Sequence, residues 1–460
     1  MELLGRSRPP TRKERRKAGR ERRGDVPLDS HAVVPNRHER QDPIGILLAQ
    51  DEQRLAELVP IRHGRMSANP FSFYRGGAAI MAADLATMPT PDIRVQMCGD
   101  AHLANFCAYM SQDRRLVFYL NDFDETHPGP FEWDVKRLAA SVSVAGRTSG
   151  LRDDKTERAV RASVAGYRDT ISELSRMGPL AVHYRRLEVD DVERMVGSGK
   201  QRRRIEKASS KAAGRNHLRA LEKLTHVVDG RRVFVPDPPL VTRVDERTAP
   251  EQIPMVLEFY ARYLDSLPVY RRRLLGRYSV VDLARKVVGV GSIGTRCLIV
   301  LLESGDDEPL LLQIKEATAS VLEAHLGGSN LGPGQRVVVG QRLMQAMGDI
   351  LLGWSHHESP SGARRSFYVR QLWDGKGSAD VARMSGKALR RYAWFCGATL
   401  ATAHARAGDA SPIAGYLGTK DTFDLAITEF ATAYADLNAL DHATHLREIE
   451  NGRIVADRDL

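Results

Sequence analysis

The chain has few cysteines and no long apolar run. Its four cysteines, among 460 residues, are scattered, and no two have C-x-x-C spacing. This spacing suggests neither a disulfide framework nor a zinc site, and it fits a reducing compartment. The longest apolar runs, such as residues 297–302, are much shorter than the roughly 20 residues that cross a bilayer. The N-terminus has no apolar signal segment. We therefore expect a cytoplasmic protein without a membrane span.

Aromatic residues are absent from the basic N-terminus. Residues 1–24 contain ten Arg or Lys and three acidic residues, which is +7 of the formal net charge of +10. Proteins that bind single-stranded nucleic acid stack bases on aromatic side chains, and this segment has none. We interpret residues 1–40 as a disordered basic tail, and we rank nucleic-acid contact by this tail below a solvated role.

Two motifs place oxygen-bearing side chains on loops after apolar strands. The strand-like residues 93–97 lead into Asp100, and Asn105 follows five positions later. The strand-like residues 116–120 lead into Asp122. A lone Asp in a turn is usually structural. Three such groups in this order reproduce the proton acceptor and the two metal ligands of phosphoryl transfer. We predict Asp100 as the catalytic base, and Asn105 and Asp122 as Mg²⁺ ligands.

Other polar residues accompany these three. His102 follows Asp100 by two positions, as in the Gly-Asp-x-His loops of small-molecule kinases, and we group it with the catalytic residues. Asp124 adds a third oxygen ligand for the metal. Asp134 lies at the predicted start of a helix, and we interpret it as a cap or as an anchor for the loop.

A glycine-rich segment precedes a second group of strands. Residues 289–294 match G-x-G-x-x-G, which also opens dinucleotide-binding helices. The continuation, residues 297–302, is apolar and β-branched, so it predicts a strand where a Rossmann turn requires a helix. A glycine turn between strands, with a lysine near the end of the next strand, is typical of protein kinases. The predicted phosphate-binding residues are Gly289, Gly291, Ser292, Gly294 and Lys315.

The lysine needs a carboxylate partner in this interpretation. Glu316 and Glu323 both follow Lys315. We favour Glu323, because Glu316 is too close in sequence to fold back easily. The alternative is a hairpin with a glycine bulge and a surface lysine.

These motifs resemble the signature segments of the bacterial family called domain of unknown function 2252, over roughly residues 35–440. The resemblance implies the protein-kinase-like superfamily, which includes aminoglycoside and choline phosphotransferases, and a bilobal fold. It assigns Asp100 as base, Asn105 and Asp122 as metal ligands and Lys315 as the phosphate lysine. The segments that carry it are residues 62–66, 70–76, 99–106, 121–125, 131–140, 289–296, 312–317 and 368–372.

The sequence departs from ordinary kinases in two ways. Cys98 replaces the usual His before Gly-Asp, and the catalytic-loop motif precedes the glycine-rich segment by about 190 residues. We therefore predict an α+β, circularly permuted kinase-like fold with a helix-rich lobe and a smaller antiparallel-sheet lobe. A rival alignment takes residues 404–409 as the catalytic loop in normal order. It lacks an Asn at the required distance, and a helix C-terminal turn explains Asp409 better.

Length and composition predict two or three domains. We expect a tail over residues 1–40, a helix-rich lobe with the catalytic-loop motif over 41–280, and a β-rich nucleotide-binding lobe over 281–375. Residues 376–460 are expected to form helices that pack on the helix-rich lobe.

The function predicted from the sequence is an ATP- and Mg²⁺-dependent phosphotransferase that acts on an unidentified small molecule or protein. Arg62, Arg65 and Arg75 suit an anionic acceptor, although structural salt bridges explain them equally well. The alternatives are an inactive nucleotide-binding regulatory module, a nucleotidyl transferase on the same fold, and a metal-dependent hydrolase that uses Asp100, His102 and Asp122. The glycine-rich segment argues against the hydrolase, which has no need of it.

Overall fold

The computed structural model describes residues 8–189, 217–244, 252–287, 293–358, 364–372 and 377–458. Helices and antiparallel sheets both occur in them, which confirms the α+β class. None of the described helices combines the length and apolar character needed to span a membrane. The helices are α1 (Arg12–Glu21), α2 (Pro43–Asp51), α3 (Val59–Ser67), α4 (Pro70–Gly76), α5 (Ala78–Ala86), α6 (Phe131–Thr148), α7 (Asp153–Leu174), α8 (Pro179–Tyr184), α9 (His217–Leu224), α10 (Gln252–Asp265), α11 (Val269–Leu275), α12 (Glu323–Leu326), α13 (Pro333–Met344), α14 (Gly386–Ala407), α15 (Ala410–Leu417) and α16 (Thr422–Glu450).

The strands form one large sheet and several small ones. The strands are β1 (Arg94–Met97), β2 (Phe106–Met110), β3 (Leu116–Leu120), β4 (His127–Pro130), β5 (Thr225–Val228), β6 (Arg231–Phe234), β7 (Val241–Val244), β8 (Tyr278–Lys286), β9 (Cys297–Ser304), β10 (Pro309–Ala317), β11 (Gly353–Glu358), β12 (Arg364–Gln371) and β13 (Gly377–Ser378). In the large sheet the order is β11-β12-β10-β9-β8-β7, with antiparallel neighbours. β1 pairs with β4, β5 with β6, and β2 lies between β3 and β13.

Strand β10 is buried over almost its whole length because both faces of the large sheet are covered. Leu312 and Ile314 pack with Tyr263 of α10 on one face. Leu311 packs with Leu221 of α9 on the other face. β7, α9 and α10 therefore belong with the sheet, although they precede the boundary expected at residue 281.

The helical part has its core around α6, α7, α14 and α16. α7 and α14 approach closely at two glycines. A Cβ on Gly166 would lie 2.3 Å from the Trp394 carbonyl oxygen, and one on Gly397 would lie 1.9 Å from that of Ser163. Any larger residue at either position would force the helices apart. The C-terminal helices thus pack on the helices that flank the catalytic-loop motif.

The N-terminal residues 12–21 form a helix, so the expectation of a disordered tail is wrong for them. Thr11 and Glu14 form a capping box at its start. Gly19 is buried against Pro412 of α15, and the Arg23 side chain donates to the Tyr416 and Gly415 carbonyls at 2.6 and 2.9 Å. Net charge indicated a solvated segment, but the small residue at position 19 lets the helix dock.

This docking predicts the effect of filling the contact. We expect Gly19→Leu to lower the free energy of unfolding by about 1–3 kcal/mol, because a Cβ on Gly19 would lie 1.9 Å from the Pro412 oxygen. Ala18→Leu, on the exposed side of α1, is the matched control and should have little effect. Urea unfolding and hydrogen exchange of residues 12–23 measure both. Equal protection in the two variants would contradict the docking.

Candidate functional site

Lys315, near the end of β10, meets two carboxylates from the loop after β3. Its Nζ lies 2.6 Å from Asp124 Oδ2 and 3.6 Å from Asp122 Oδ1. The lysine side chain is 2% exposed. Burial lowers the pKa of Lys315, but Asp122 and Asp124 outweigh it and hold that pKa well above its ordinary value. The structure therefore brings the predicted phosphate lysine and two predicted metal ligands into one charged cluster.

Strand β12 adds two side chains that the motif analysis did not single out. Tyr368 is the cross-strand partner of Lys315, and its hydroxyl donates to Asp124 Oδ1 at 2.6 Å. Arg370 pairs with Gln313 and donates to its Oε1 at 2.9 Å and to the Asn121 carbonyl at 3.3 Å. The pairing of β12 with β10 places both side chains at the site. In the sequence, the one indication of their role was that residues 368–372 belong to the segments that carry the family resemblance.

Asp100 is held by an arginine of α6. Arg137 Nε donates to Asp100 Oδ1 at 2.9 Å, and Nη2 lies 2.8 Å from the same oxygen in an ion pair. The other oxygen, Oδ2, lies 3.5 Å from His102 Nε2. Burial lowers the pKa of His102 to about 4, so the imidazole is neutral at physiological pH. The predicted catalytic pair is thus adjacent, with one carboxylate oxygen fixed and the other turned toward a neutral histidine.

Asp134 anchors the loop before Asp100, which confirms its interpretation as a loop anchor. Its carboxylate accepts the backbone N–H groups of Cys98 and Gly99 at 2.7 and 3.0 Å, and lies 3.1 Å from His404 Nε2. Gly99 has a φ of +82°, and a Cβ there would lie 2.2 Å from the Glu125 carbonyl oxygen. Only glycine fits this position.

The rival loop at residues 404–409 has a structural role. His404 lies between Asp134 and Tyr167. The Nδ1 atom of His404 is 2.8 Å from the Tyr167 hydroxyl, and its Nε2 contacts the Asp134 carboxylate. Asp409 caps α15 by accepting the Ser411 N–H, and it forms an ion pair with Arg15 at 2.8 Å. In the described ranges, the partners of both residues lie outside the Lys315 cluster.

Asn105 joins the two loops through its amide. Its Nδ2 donates to the carbonyls of Asp100 and Asp122, and its Oδ1 accepts the N–H groups of Asn121 and Asp122 at 3.2 and 2.7 Å. An amide oxygen has two lone pairs, and both are used. As placed, Asn105 does not fit the role of metal ligand, and the observed role is to hold Asp100 and Asp122 in register.

Asp122 and Asp124 remain as candidate ligands for a divalent cation. Within the described residues, no group of three His, Cys, Asp or Glu side chains is arranged to hold a metal ion. Asp122 and Asp124 both face the Lys315 ammonium. Mg²⁺ is usually held by one or two carboxylates together with substrate phosphates. The donor set therefore suits a Mg²⁺ that arrives with phosphates, rather than a cage built from protein alone.

Glu323 forms contacts other than the expected ion pair with Lys315. It starts the short helix α12, and its carboxylate accepts the N–H groups of Ser320 and Ser329 and lies 3.4 Å from Arg336 Nε. Lys315 uses Asp124 instead. Arg336 of α13 takes the place of Lys315 as the partner of Glu323. The same arginine donates to the Asp124 and Thr126 carbonyls.

The glycine-rich segment is described only at its end. Gly289, Gly291 and Ser292 lie outside the described residues. Gly294 has a φ of +91°, and its carbonyl accepts the Leu55 N–H at 2.8 Å. Arg54 donates to the Ile293 carbonyl, and Ile293 packs against Leu58. The end of the segment is therefore tied to the residues between α2 and α3.

The arginines considered for an anionic acceptor differ in their surroundings. Arg62 is fully buried, with Nη1 2.7 Å from Asp51 Oδ1, so its role is structural. Burial lowers the pKa of Arg75 of α4, whereas the charges of Asp100 and Asp122 raise it. Arg75 therefore lies within electrostatic range of the candidate site.

Fold and site together define an α+β protein with a buried lysine–dicarboxylate cluster between a sheet and a helical body. The family described as "uncharacterized protein conserved in bacteria (DUF2252)" matches residues 54–448, and the chain belongs to this family. No curated protein and no solved structure matches the chain.

Glu125 provides a pH-dependent test of the site. Burial is the largest cause that raises its pKa, from an ordinary 4.5 to about 6, although Arg336 opposes it. The folded form binds this proton more tightly than the unfolded form. The free energy of unfolding therefore falls as the pH rises from 4.5 to 6, and above pH 6 it stays lower than at acidic pH. We expect Glu125→Gln to raise the free energy of unfolding by about 2 kcal/mol above pH 6 and by little below pH 4.5.

Urea unfolding at several pH values measures this difference. Glu157→Gln, on the exposed side of α7, is the control. A Glu125→Gln effect of the same size at pH 4 and pH 7 would contradict the assignment.

Proposed function

We propose that this chain is a kinase-like phosphotransferase that binds ATP with Mg²⁺ and acts on a small molecule or a protein. The observation that carries the proposal is the contact of Lys315 with Asp122 and Asp124. Lys315 and Asp124 are 191 residues apart in sequence, and 2.6 Å separates their charged atoms. A lysine and metal-binding carboxylates that converge in this way are the elements of a phosphoryl-transfer site.

The position of the lysine supports a kinase-like sheet. The glycine-rich segment connects β8 to β9, and Lys315 lies on β10, the third strand of that run. Protein kinases likewise have a glycine-rich loop followed by a lysine on the third strand.

The position of α14 supports a permuted chain order. Its C-terminal end reaches β1, where a Cβ on Gly408 would lie 3.0 Å from Val95, and His404 contacts Asp134 beneath the Asp100 loop. The C-terminal end of α14 thus lies beside the start of the catalytic-loop motif, as if the chain ran from α14 into the motif, although the motif precedes α14 in sequence. A circular permutation of a bilobal kinase-like fold explains this arrangement.

The proposed chemistry assigns one step to each group. Asp100 Oδ2 accepts the proton of the acceptor hydroxyl, while Arg137 holds Oδ1 in place. The hydroxyl oxygen then bonds to the γ-phosphorus as the bond from phosphorus to the β–γ bridging oxygen breaks, which releases ADP. Lys315 offsets negative charge on the phosphates. Asp122 and Asp124 would hold Mg²⁺, which supplies further charge neutralisation when bound.

A cavity of about 580 Å³ beside Glu125 offers room for an acceptor. Its walls include Gln50, Gln53, Thr318 and Ala83. This volume is in the range of small-molecule sites, and its amide and hydroxyl groups suit an acceptor with hydroxyl groups. The cavity therefore favours a small molecule within the proposal.

A nucleotide-binding module without turnover is the second candidate. Two observations favour it: the Asn105 amide has all its hydrogen bonds made within the protein, and Asp100 is already paired with Arg137 through a hydrogen bond and an ion pair. In such a module the Lys315 cluster would bind nucleotide, and the Asp100 loop would be structural.

Binding is tested by thermal unfolding with and without ATP and Mg²⁺. At about 100 times Kd, the ligand should raise the free energy of unfolding of the wild type by about 2.7 kcal/mol. Lys315→Met and Asp122→Asn should lose this increase, because the first removes the positive charge that faces the phosphates and the second removes a carboxylate that would hold Mg²⁺. Lys387→Met, at an exposed lysine of α14, should keep it. An increase that survives Lys315→Met would contradict the site.

Turnover separates the two candidates. With ATP labelled at the γ-phosphate, a phosphotransferase releases ADP or labels an acceptor, and Asp100→Asn should reduce the rate about 100-fold or more. ATP labelled at the α-phosphate would report nucleotidyl transfer instead. Binding without turnover, unchanged by Asp100→Asn, would favour the regulatory module.

A further inference from the structure

A second cavity lies beside Glu316, next to Lys315 on β10. Its volume is about 860 Å³. Adjacent residues of a strand point to opposite faces. Lys315 contacts Asp122 and Asp124, whereas Glu316 contacts Arg296 and Arg365. Lys315, Asp122 and Asp124 do not line this cavity. Four arginines line it, together with the carboxylates of Glu52 and Glu316; the arginines are Arg54, Arg296, Arg364 and Arg365.

The cavity wall has an excess of positive charge. Arg296 Nη1 lies 3.2 Å from Glu316 Oε2, and Arg365 Nη1 lies 3.2 Å from Oε1. Over the ranges that the structure describes, neither arginine has a second carboxylate at ion-pair distance. One carboxylate, itself 8% exposed, thus serves two guanidinium groups that are 35% and 40% exposed.

Both arginines have more N–H donors than their contacts with Glu316 use. A guanidinium carries five N–H groups in a fork that matches phosphate oxygens. Arg296 and Arg365 each direct Nη1 at Glu316, and both residues line the cavity. The start of α13 also lines it, at Gly332 and Gln335. Its N–H groups add to the positive potential that the arginines create.

An aromatic side chain also lines the cavity. Trp354 is half-buried there. The volume falls within the range of sites for small ligands. A phosphate on the arginines with an apolar or aromatic part toward Trp354 would use both kinds of side chain.

We propose that this cavity binds the phosphate group of a small phosphomonoester through Arg296 and Arg365. The site is independent of Lys315 and of the proposed transfer reaction. Glu316 competes with the ligand for the two arginines, so its charge weakens the binding. The opposite effects of Glu316 and the arginines distinguish a binding site from a purely structural ion-pair triad.

The test measures thermal unfolding of the full chain in inorganic phosphate and in phenyl phosphate, with potassium chloride matched for ionic strength. Lys315→Met serves as the background, so that the Lys315 cluster does not contribute. We expect a saturable rise in Tm with phosphate, and an apparent affinity at least 10-fold weaker in Arg296→Gln and Arg365→Gln. Glu316→Gln should bind several-fold more tightly. Phenyl phosphate should bind more tightly than phosphate, which distinguishes an organic ligand from the free ion.

Three results would overturn the proposal. They are an absence of any phosphate-dependent shift in the wild type, a shift that Lys315→Met removes, and a shift that both arginine variants retain. Arg158→Gln, at an exposed arginine of α7 with a side chain 66% exposed, controls for nonspecific loss of charge. Glu316→Gln keeps the hydrogen-bonding shape at that position, so its gain of affinity remains measurable if the arginine variants fail to fold.

Discussion

The buried ammonium group of Lys315 fixes the sheet against the helical part of the molecule. An ammonium group that is 2% exposed is stable only with paired charge, and the loop after β3 supplies it through Asp122 and Asp124. Removing one partner of such a cluster typically costs about 3–5 kcal/mol. Tyr368 orients the Asp124 carboxylate from the neighbouring strand. The same contact therefore supports the fold and assembles the candidate site.

A second set of polar contacts holds the Asp100 loop relative to that cluster. Asn105 bonds to the backbone of both loops, Asp134 holds the turn at Gly99, and Arg137 fixes one oxygen of Asp100. Each is a buried or largely buried polar group with its hydrogen bonds made, which is the condition for a rigid arrangement in a protein interior. The loops owe their geometry to these contacts more than to regular secondary structure.

Part of this arrangement could be predicted from the sequence. The short apolar runs predicted β3 at residues 116–120 and a strand before Gly99, and local motifs placed Asp100, Asn105 and Asp122 on the following loops. Two features could not be predicted. The role of Asn105 depends on which lone pairs the backbone uses, and the partner of Lys315 depends on how α12 and α13 pack. Both are decided by tertiary contacts that spacing does not encode.

The N-terminal helix illustrates the same limit. Composition made residues 1–24 look like a solvated tail, yet Gly19 and the capping box at Thr11 allow α1 to pack on α15. Net charge predicts solubility and long-range attraction, but shape complementarity at one small residue decides the docking. Arg370 and Arg137 were missed for a related reason, since each reaches the site from an element distant in sequence.

A double-mutant cycle on nucleotide affinity tests the central claim most directly, namely that Lys315 and Asp122 act on one bound nucleotide. Calorimetric Kd values for ATP with Mg²⁺ would be compared for the wild type, Lys315→Met, Asp122→Asn and the double variant. The account predicts a coupling free energy of about 0.5–3 kcal/mol, as for residues that share a partner. Additive effects of the two substitutions, or wild-type affinity in all variants, would contradict it.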